Sequence, residues 1–390
     1  MADWSVIIAT RGRREELGVT LHALAEHPAA SRLEVIVADN ASEDGTAAAV
    51  RGFARRRPGL AVRVIERGDA NPCAGRNQAA AASSGQRLLF LDDDSTPRPG
   101  TLAAAAAALA SDPRLGAVGG PVHLPGGGQD ACALPALSPA CGWAVRREAF
   151  ERVGGFDAGL FMQAEELGLA CRLLAAGWSV AREEAVAFDH RKAATARRSL
   201  RAARLDLRNN LALSAGYLEP ERAAAARPGL VERYGRLLLA AGGTGADADA
   251  AAAEASSLPR IGPPLPAAAA ESLYGFERQR AAVAAFAERE RLAPGTPVTL
   301  AGFTKHADLT AEAAEAAGLV VAAVTDPAEA FRGGVLHAVP VVAPGAEAAS
   351  STRAVLHTDL NPGRRRPAPD PAGRPSLLLR DAYPAVATAG

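Results

Sequence analysis

Apolar runs of strand length alternate with stretches of helical period over the first hundred residues. Residues 4–9, 34–38, 62–65 and 88–91 are aliphatic and β-branched, the pattern of strands buried on both faces. Residues 15–26, 47–56 and 74–84 lie between them and are rich in Ala, Leu, Arg and Glu, as expected of crossover helices. This alternation predicts βαβ units and a doubly wound, mostly parallel sheet flanked by helices.

Past residue 100 the pattern loosens. An alanine-rich helix is followed by glycine and proline clusters up to residue 142, which imply loops around short strands. A helix over 164–176 follows, with Leu167, Ala170, Cys171 and Leu174 on one face and Gly177 as its stop. Residues 195–240 read as helical, and the small residues and prolines of 241–270 read as a linker. A second unit then shows a helix through Arg291, a strand at 298–301, a helix at 307–317 and strands at 319–324 and 339–342. That order predicts a smaller C-terminal Rossmann-like α/β module. Its AGFTKH segment holds only Gly302, so the dinucleotide fingerprint is missing, and Asp326 is read as the cap of a turn before Pro327 rather than a ribose contact. The expected organisation is a first domain over 1–215, a helical or linker segment over 216–257, the small module over 258–360 and an extended or disordered tail over 361–390.

Composition narrows the function classes. With 48% hydrophobic and 22% charged residues in 390, the chain can bury cores and is neither a disordered tail nor a coiled coil. Its formal net charge is zero, which argues against a nucleic-acid partner. Cys73, Cys132, Cys141 and Cys171 lack CxxC spacing, so reduced thiols are expected. The start of the chain has no basic leader, and no run reaches about 18 apolar residues. A cytoplasmic protein without an integral membrane segment is the expectation.

The strongest chemical signal is Asp92-Asp93-Asp94, placed directly after the apolar run 88–91. Three adjacent carboxylates repel one another, and a divalent cation bound to their oxygens would offset that repulsion. In a doubly wound sheet the ligand crevice lies outside the carboxyl ends of the strands. Ala9, Thr10 and Arg11 close the first strand and Asp39 the second, so all of these residues are expected at one crevice.

Five segments in order, SVIIATRGR, EVIVADNASEDGT, AGRNQAAAASSG before LLFLDDDSTP, CGWAVRREAFERVGGFD and AEELGLACRL, resemble the GT-A fold glycosyltransferases of family 2. These are nucleotide-sugar dependent and usually inverting. The resemblance implies that Ala9, Thr10 and Arg11 line a nucleotide pocket and that Asp39 accepts a hydrogen bond from the base, uracil and thymine being favoured. It places Arg76 near the pyrophosphate or sugar, Asp92 toward the ribose and donor sugar, Asp93 either toward that donor or toward the metal, and Trp143 beside a sugar ring. Asp94, with His190, would ligate Mn²⁺ or Mg²⁺. Glu166 aligns with the catalytic base, and Glu165 beside it is the second catalytic candidate, its alternative role being a helix-face partner for Arg172. The family commonly has Glu-Asp where this chain has Glu-Glu, and often has Asp where this chain has Gly168. Arg191, Lys192, Arg197 and Arg198 are expected either to clamp a diphosphate or to form a solvated basic face.

The activity implied is metal-dependent transfer of a sugar from a nucleoside diphosphate, UDP or dTDP favoured, to an acceptor hydroxyl or amine with inversion. The acceptor is left open between a small molecule, a saccharide and a protein, and a homodimer is expected from the appended module. Two alternatives stand beside it. One is a non-catalytic sugar-nucleotide-binding or scaffold subunit. The other is a sugar-phosphate nucleotidyltransferase, for which the single glycine of ATRGRREE is a poor phosphate loop.

Overall fold

The computed structural model describes residues 2–130, 132, 134–192, 199–258, 261–346, 349, 351–360 and 366–383. The chain divides into two compact units, chiefly Met1–Cys132 with Ala136–Ala194, and Thr195–Pro384.

In the first unit the strands are β1 (Trp4–Thr10), β2 (Leu33–Asn40), β3 (Ala61–Arg67), β4 (Arg87–Asp92), β5 (Ser95–Pro97), β6 (Leu115–Gly119), β7 (Val122–His123), β8 (Gly142–Arg146), β9 (Ser179–Arg182) and β10 (Phe188–His190). The helices are α1 (Arg14–Glu26), α2 (Thr46–Arg56), α3 (Pro72–Ala81), α4 (Thr101–Ser111), α5 (Arg147–Arg152) and α6 (Glu165–Ala175). Seven strands form one sheet in the order β3-β2-β1-β4-β8-β6-β9. The first four run parallel, β8 runs antiparallel to both β4 and β6, and β9 is parallel to β6. A small sheet, β5-β10-β7, is formed by segments that follow these strands.

Residues along each central strand alternate between two buried faces. On one face Val6, Ile8, Val35, Val37, Leu89 and Leu91 pack with Leu17 and Leu21 of α1, Phe53 of α2 and Leu109 of α4. On the other, Phe90 meets Phe150 and Phe156 with ring centroids 5.0 Å away in each case. Burial on both faces accounts for the unbroken apolar runs in the sequence.

The second unit starts with three helices, α7 (Leu200–Tyr217), α8 (Pro220–Ala240) and α9 (Gly245–Ser257). They share a core of Leu207, Leu211, Leu230, Tyr234 and Ala251. The units therefore divide near residue 195, not at 215, because α7 packs on α8 and α9 of its own unit. Within the stretch read as a linker, α9 is a helix: alanine favours it, and Thr244 and Asp247 close a capping box at its start. Next come α10 (Ala267–Tyr274), α11 (Phe276–Arg289), β11 (Pro297–Ala301), α12 (Ala307–Ala316), β12 (Val320–Thr325), β13 (Val335–Leu336), β14 (Val339–Val342), β15 (Ala354–His357) and β16 (Ser376–Leu378).

These strands form a sheet in the order β13-β14-β12-β11-β15-β16. All neighbours are parallel except β13 with β14, so the parallel strands have the doubly wound order of a Rossmann-like module. The one long helix read from the sequence breaks into α10 and α11 at Gly275, whose φ is +68°. Strand β16 pairs with β15 inside the stretch read as an extended tail; residues 361–365 and 384–390 of that tail lie outside the described residues. Asp326 caps its turn as read, accepting from the Ala328 and Phe303 amides at 2.9 and 2.8 Å.

Candidate active site

Parallel register brings the strand-end residues together. Ala9 is level with Asp92, and Thr10 with Asp39. Asp39 is buried and accepts from the Ser42 amide at 3.1 Å, and the neighbouring Asn40 amide group donates to the Thr10 carbonyl at 3.2 Å. Arg11 is exposed where the chain leaves β1.

Each of the three consecutive aspartates meets a cation, Asp92 its own and Asp93 and Asp94 a shared Arg13, and this relieves the repulsion read from the sequence. Asp92 accepts from Arg76 at 2.8 Å. Asp93 accepts from Thr10 Oγ1 and from Arg13 Nε, both at 2.7 Å. Asp94 accepts from Arg13 at 2.6 Å and lies 3.0 Å from His190 Nε2. Burial, reinforced by Asp92 and Asp94, pushes the Asp93 carboxyl up to about 6 despite Arg13 and Thr10. Burial also opposes ionisation of Asp94, but His190 and Arg13 outweigh it and hold that carboxyl below its ordinary value.

Arg76 is 4% exposed. It stands on α3, whose first turn is capped by Asn71. Its guanidinium bridges Asp92 and, at 3.2 Å, Glu165 Oε1. Burial opposes its charge, yet Asp92 and Glu165 raise its pKa above the usual arginine range. Its Nε is buried without a hydrogen-bond partner. Arg76 is thus an internal tie between the strand end and the start of α6.

Glu165, paired to Arg76, is not the partner of Arg172. Arg172 instead donates to the carbonyls of Gly155 and Val153 at 3.0 and 3.3 Å. Glu166 is half-buried, with the Cys132 thiol 3.9 Å from Oε1. The chain enters α6 through Phe161, Gln163 and Ala164, all non-glycine residues with φ between +58° and +69°. Such residues cost about 1–3 kcal/mol each and cluster at functional sites.

His190 is buried between two carboxylates, with Asp130 Oδ2 3.1 Å from Nδ1 and Asp94 on the other nitrogen. Burial disfavours the charged ring, but the hydrogen bonds to Asp130 and Asp94 override it and push the pKa up to about 12. Cys141 Sγ lies 3.6 Å from the same Nδ1. Among the described residues, Asp92, Cys141 and His190 place potential ligand atoms within 4.8 Å of one another. Burial raises the Cys141 thiol to about 11, so it is protonated at neutral pH. Aspartate oxygen, and imidazole nitrogen once an ion has displaced a proton from the His190 ring, then make up the donor set, which suits a divalent ion such as Mn²⁺.

Trp143 lies on β8 beside Phe90 and is 3% exposed, with its indole N–H donated to the Ser138 carbonyl at 2.6 Å. It is a core residue and presents no open face to a sugar. Arg191 donates to Thr20 Oγ1 at 2.5 Å and Lys192 pairs with Asp130 at 3.0 Å, so both are engaged within the unit. Arg197 and Arg198 lie outside the described residues. Sequence reasoning missed Arg13, Asp130 and Cys141. Arg13 stood in the same ATRGRR word as Arg11, but only the turn at Gly12, with φ +61°, shows which arginine folds back over the aspartates.

With this geometry in hand, residues 5–130 match the model of "Glycosyl transferase family 2". These residues carry a family 2 glycosyltransferase domain. Its role is glycosyl transfer. No curated protein matches the chain in sequence. Among solved structures, the mannosyltransferase PcManGT from Pyrobaculum calidifontis, in complex with GDP-Man and Mn²⁺, is 21% identical, with 81% of this chain and 85% of that chain covered and a TM-score of 0.48. S. aureus TarS residues 1–349 are 17% identical over 62% of this chain and 72% of that chain, with a TM-score of 0.44. GalNAc-T7 with UDP, GalNAc and Mn²⁺ is 15% identical over 59% and 51%, with a TM-score of 0.49. Among the described residues no helix is long and apolar enough to cross a membrane.

Proposed function

We propose that the chain moves a sugar from a nucleoside diphosphate, UDP or dTDP, to an acceptor hydroxyl or amine with inversion at the anomeric carbon. The observation that carries this reading is the convergence, at one end of the parallel strands, of Thr10, Asp39 and Asp92–Asp94 with His190 and the start of α6. Asp39 would take the imide N–H of the base, and the ends of β1 and β4 would border the ribose and diphosphate. Asp94 and His190, with Asp92 beside them, would hold Mn²⁺ or Mg²⁺. When bound, such an ion supplies positive charge to the leaving diphosphate.

The two glutamates of α6 divide the remaining work. Glu165 is paired with Arg76, and Glu166, in the first turn of α6, acts as the base. Glu166 takes the proton as the acceptor oxygen or nitrogen forms its bond to the anomeric carbon, and the bond to the diphosphate oxygen breaks on the opposite face. Arg76 and Glu165 fix the strand end and the helix start so that Asp92 and Glu166 keep their spacing.

The test is a calorimetric and thermal-shift panel of UDP, dTDP, GDP and their common sugars, each with Mn²⁺ and with EDTA, on wild type and Asp94→Ala. Metal-dependent stabilisation by one nucleotide, lost in Asp94→Ala, is the expected result and names the donor class. Stabilisation by none of them would overturn the donor-site reading.

A further inference from the structure

The other end of β4 carries the opposite charge. There a cleft of about 580 Å³ is lined by Arg87, Arg146, Arg147, Arg152, Glu148 and Glu151, among others. Five residues of extended strand, roughly 17 Å, separate Arg87 from Asp92. The cleft is therefore distinct from the strand-end site.

Two features mark it as built for an anion. Arg87 and Arg146 are direct cross-strand partners on antiparallel β4 and β8, a position where like charges destabilise a sheet. The nearest compensation is also incomplete. Arg146 donates to the carbonyls of Leu115, Leu109 and Asp112. Arg147 donates to the carbonyls of Gly85 and Ala80 and to the Ser83 hydroxyl at 2.6, 3.0 and 2.6 Å. Carbonyls and hydroxyls satisfy N–H groups and fix the side chains, but they leave the positive charge in place. Glu151 pairs with Arg147 at 3.2 Å.

The side chains of Arg87 and Arg152 make no hydrogen bond or ion pair with any described residue, although the Arg87 guanidinium lies 5.8 Å from the centre of the Trp4 ring. Four arginines face two glutamates, which leaves an excess charge of two. The two uncommitted guanidiniums stand beside a wall held rigid by backbone bonds.

We propose that this cleft binds a phosphate-bearing small molecule, with Arg87 and Arg152 as its movable ligands and Arg146 and Arg147 as the fixed wall. A dianionic group matches the excess charge, and guanidinium forks match phosphate oxygens in pairs. The volume falls within the usual range for small-molecule sites, about 300–1,000 Å³. Filling it relieves the repulsion between Arg87 and Arg146.

The experiment is calorimetric titration of the full chain with inorganic pyrophosphate and, separately, inorganic phosphate, in EDTA at fixed ionic strength. The proteins compared are wild type, Arg87→Gln/Arg152→Gln and Asp94→Ala, each checked for folding by its thermal transition. Saturable binding with one ligand per chain, at least tenfold weaker in the double variant and unchanged in Asp94→Ala, is expected. Pyrophosphate binding without phosphate binding assigns the site to diphosphates, and binding of both assigns it to phosphate groups in general. No saturable binding, equal affinity in the double variant, or loss in Asp94→Ala would each overturn the proposal. The last outcome would move the ligand to the strand-end site.

Discussion

Arg76 and Glu165 are 89 residues apart in sequence and 3.2 Å apart in space. Their contact ties the helix before β4 to the helix that presents Glu166. Arg76→Ala would leave the buried Glu165, and the half-buried Asp92, without their cation. Breaking a buried ion pair by removing one partner costs about 3–5 kcal/mol, so a marked drop in the urea midpoint of the first unit is expected. An unchanged midpoint would mean that the tie does not hold the site together.

Glu166→Gln separates chemistry from stability. Glu166 is half-buried and is not the glutamate that pairs with Arg76, and glutamine keeps its shape, so the unfolding midpoint should fall far less than in Arg76→Ala. Removing a general base typically costs about 10²- to 10⁴-fold in rate. Turnover with the donor found in the nucleotide panel should fall by that much while nucleotide binding holds. Full activity in Glu166→Gln would remove it from the base role.

Asp130 orients His190 from the side away from Asp94. Losing such an orienting carboxylate usually weakens metal binding about 10- to 100-fold. Asp130→Asn should therefore raise the Mn²⁺ dissociation constant, read by electron paramagnetic resonance of free Mn²⁺. In the metal-free protein the same variant should alter the His190 ring nitrogen shifts. Wild-type Mn²⁺ affinity with unaltered ring shifts would count against this.

In the second unit, Asp308 lies buried in the first turn of α12, where burial, aided by Glu312, pushes its carboxyl up to about 7. A raised carboxyl is neutral in the folded chain while the unfolded chain ionises near pH 4. Its stability is fully present below that value and is lost as pH rises through 7. At about 1.4 kcal/mol per pH unit, the loss has an upper limit of about 4 kcal/mol. Asp308→Asn should flatten the fall in stability between pH 4 and 7 and raise stability at pH 8. Parallel pH profiles for variant and wild type would refute the assignment.

Gly120 joins β6 to β7, and a Cβ there would lie 2.0 Å from the Val186 carbonyl oxygen and 2.3 Å from that of Glu183. Both are backbone atoms and cannot rotate away. Gly120→Ala should destabilise the first unit by about 3 kcal/mol or more, seen as a lowered thermal transition. An unchanged transition would show that the segment before β10 has room to shift.

The first four strands, their helices and the strand-end aspartates were legible because a parallel sheet buried on both faces writes long apolar runs, and its crevice falls where those runs stop. The environment of His190 was not legible. It is assembled from Asp130 and Cys141, which lie in a glycine- and proline-rich stretch with no period to read. Arg76 was found, but its burial was not, since an arginine on a helix gives no sign of facing inward until Glu165 arrives from a distant segment. Trp143 shows the reverse case: an aromatic residue near a site motif has the same spelling whether it lines a pocket or fills the core. The α9 segment was left between helix and linker because small residues serve both, and the Thr244 cap decides between them.

The entry to α6 has a consequence for how this protein tolerates change. A glycine at Phe161, Gln163 or Ala164 would relax the local backbone, yet it would also slacken the segment that aims Glu165 and Glu166. Most other residues would keep the strain without relieving it. Directed variation at these positions should therefore yield sturdier proteins that turn over more slowly, and hardly any that gain on both counts.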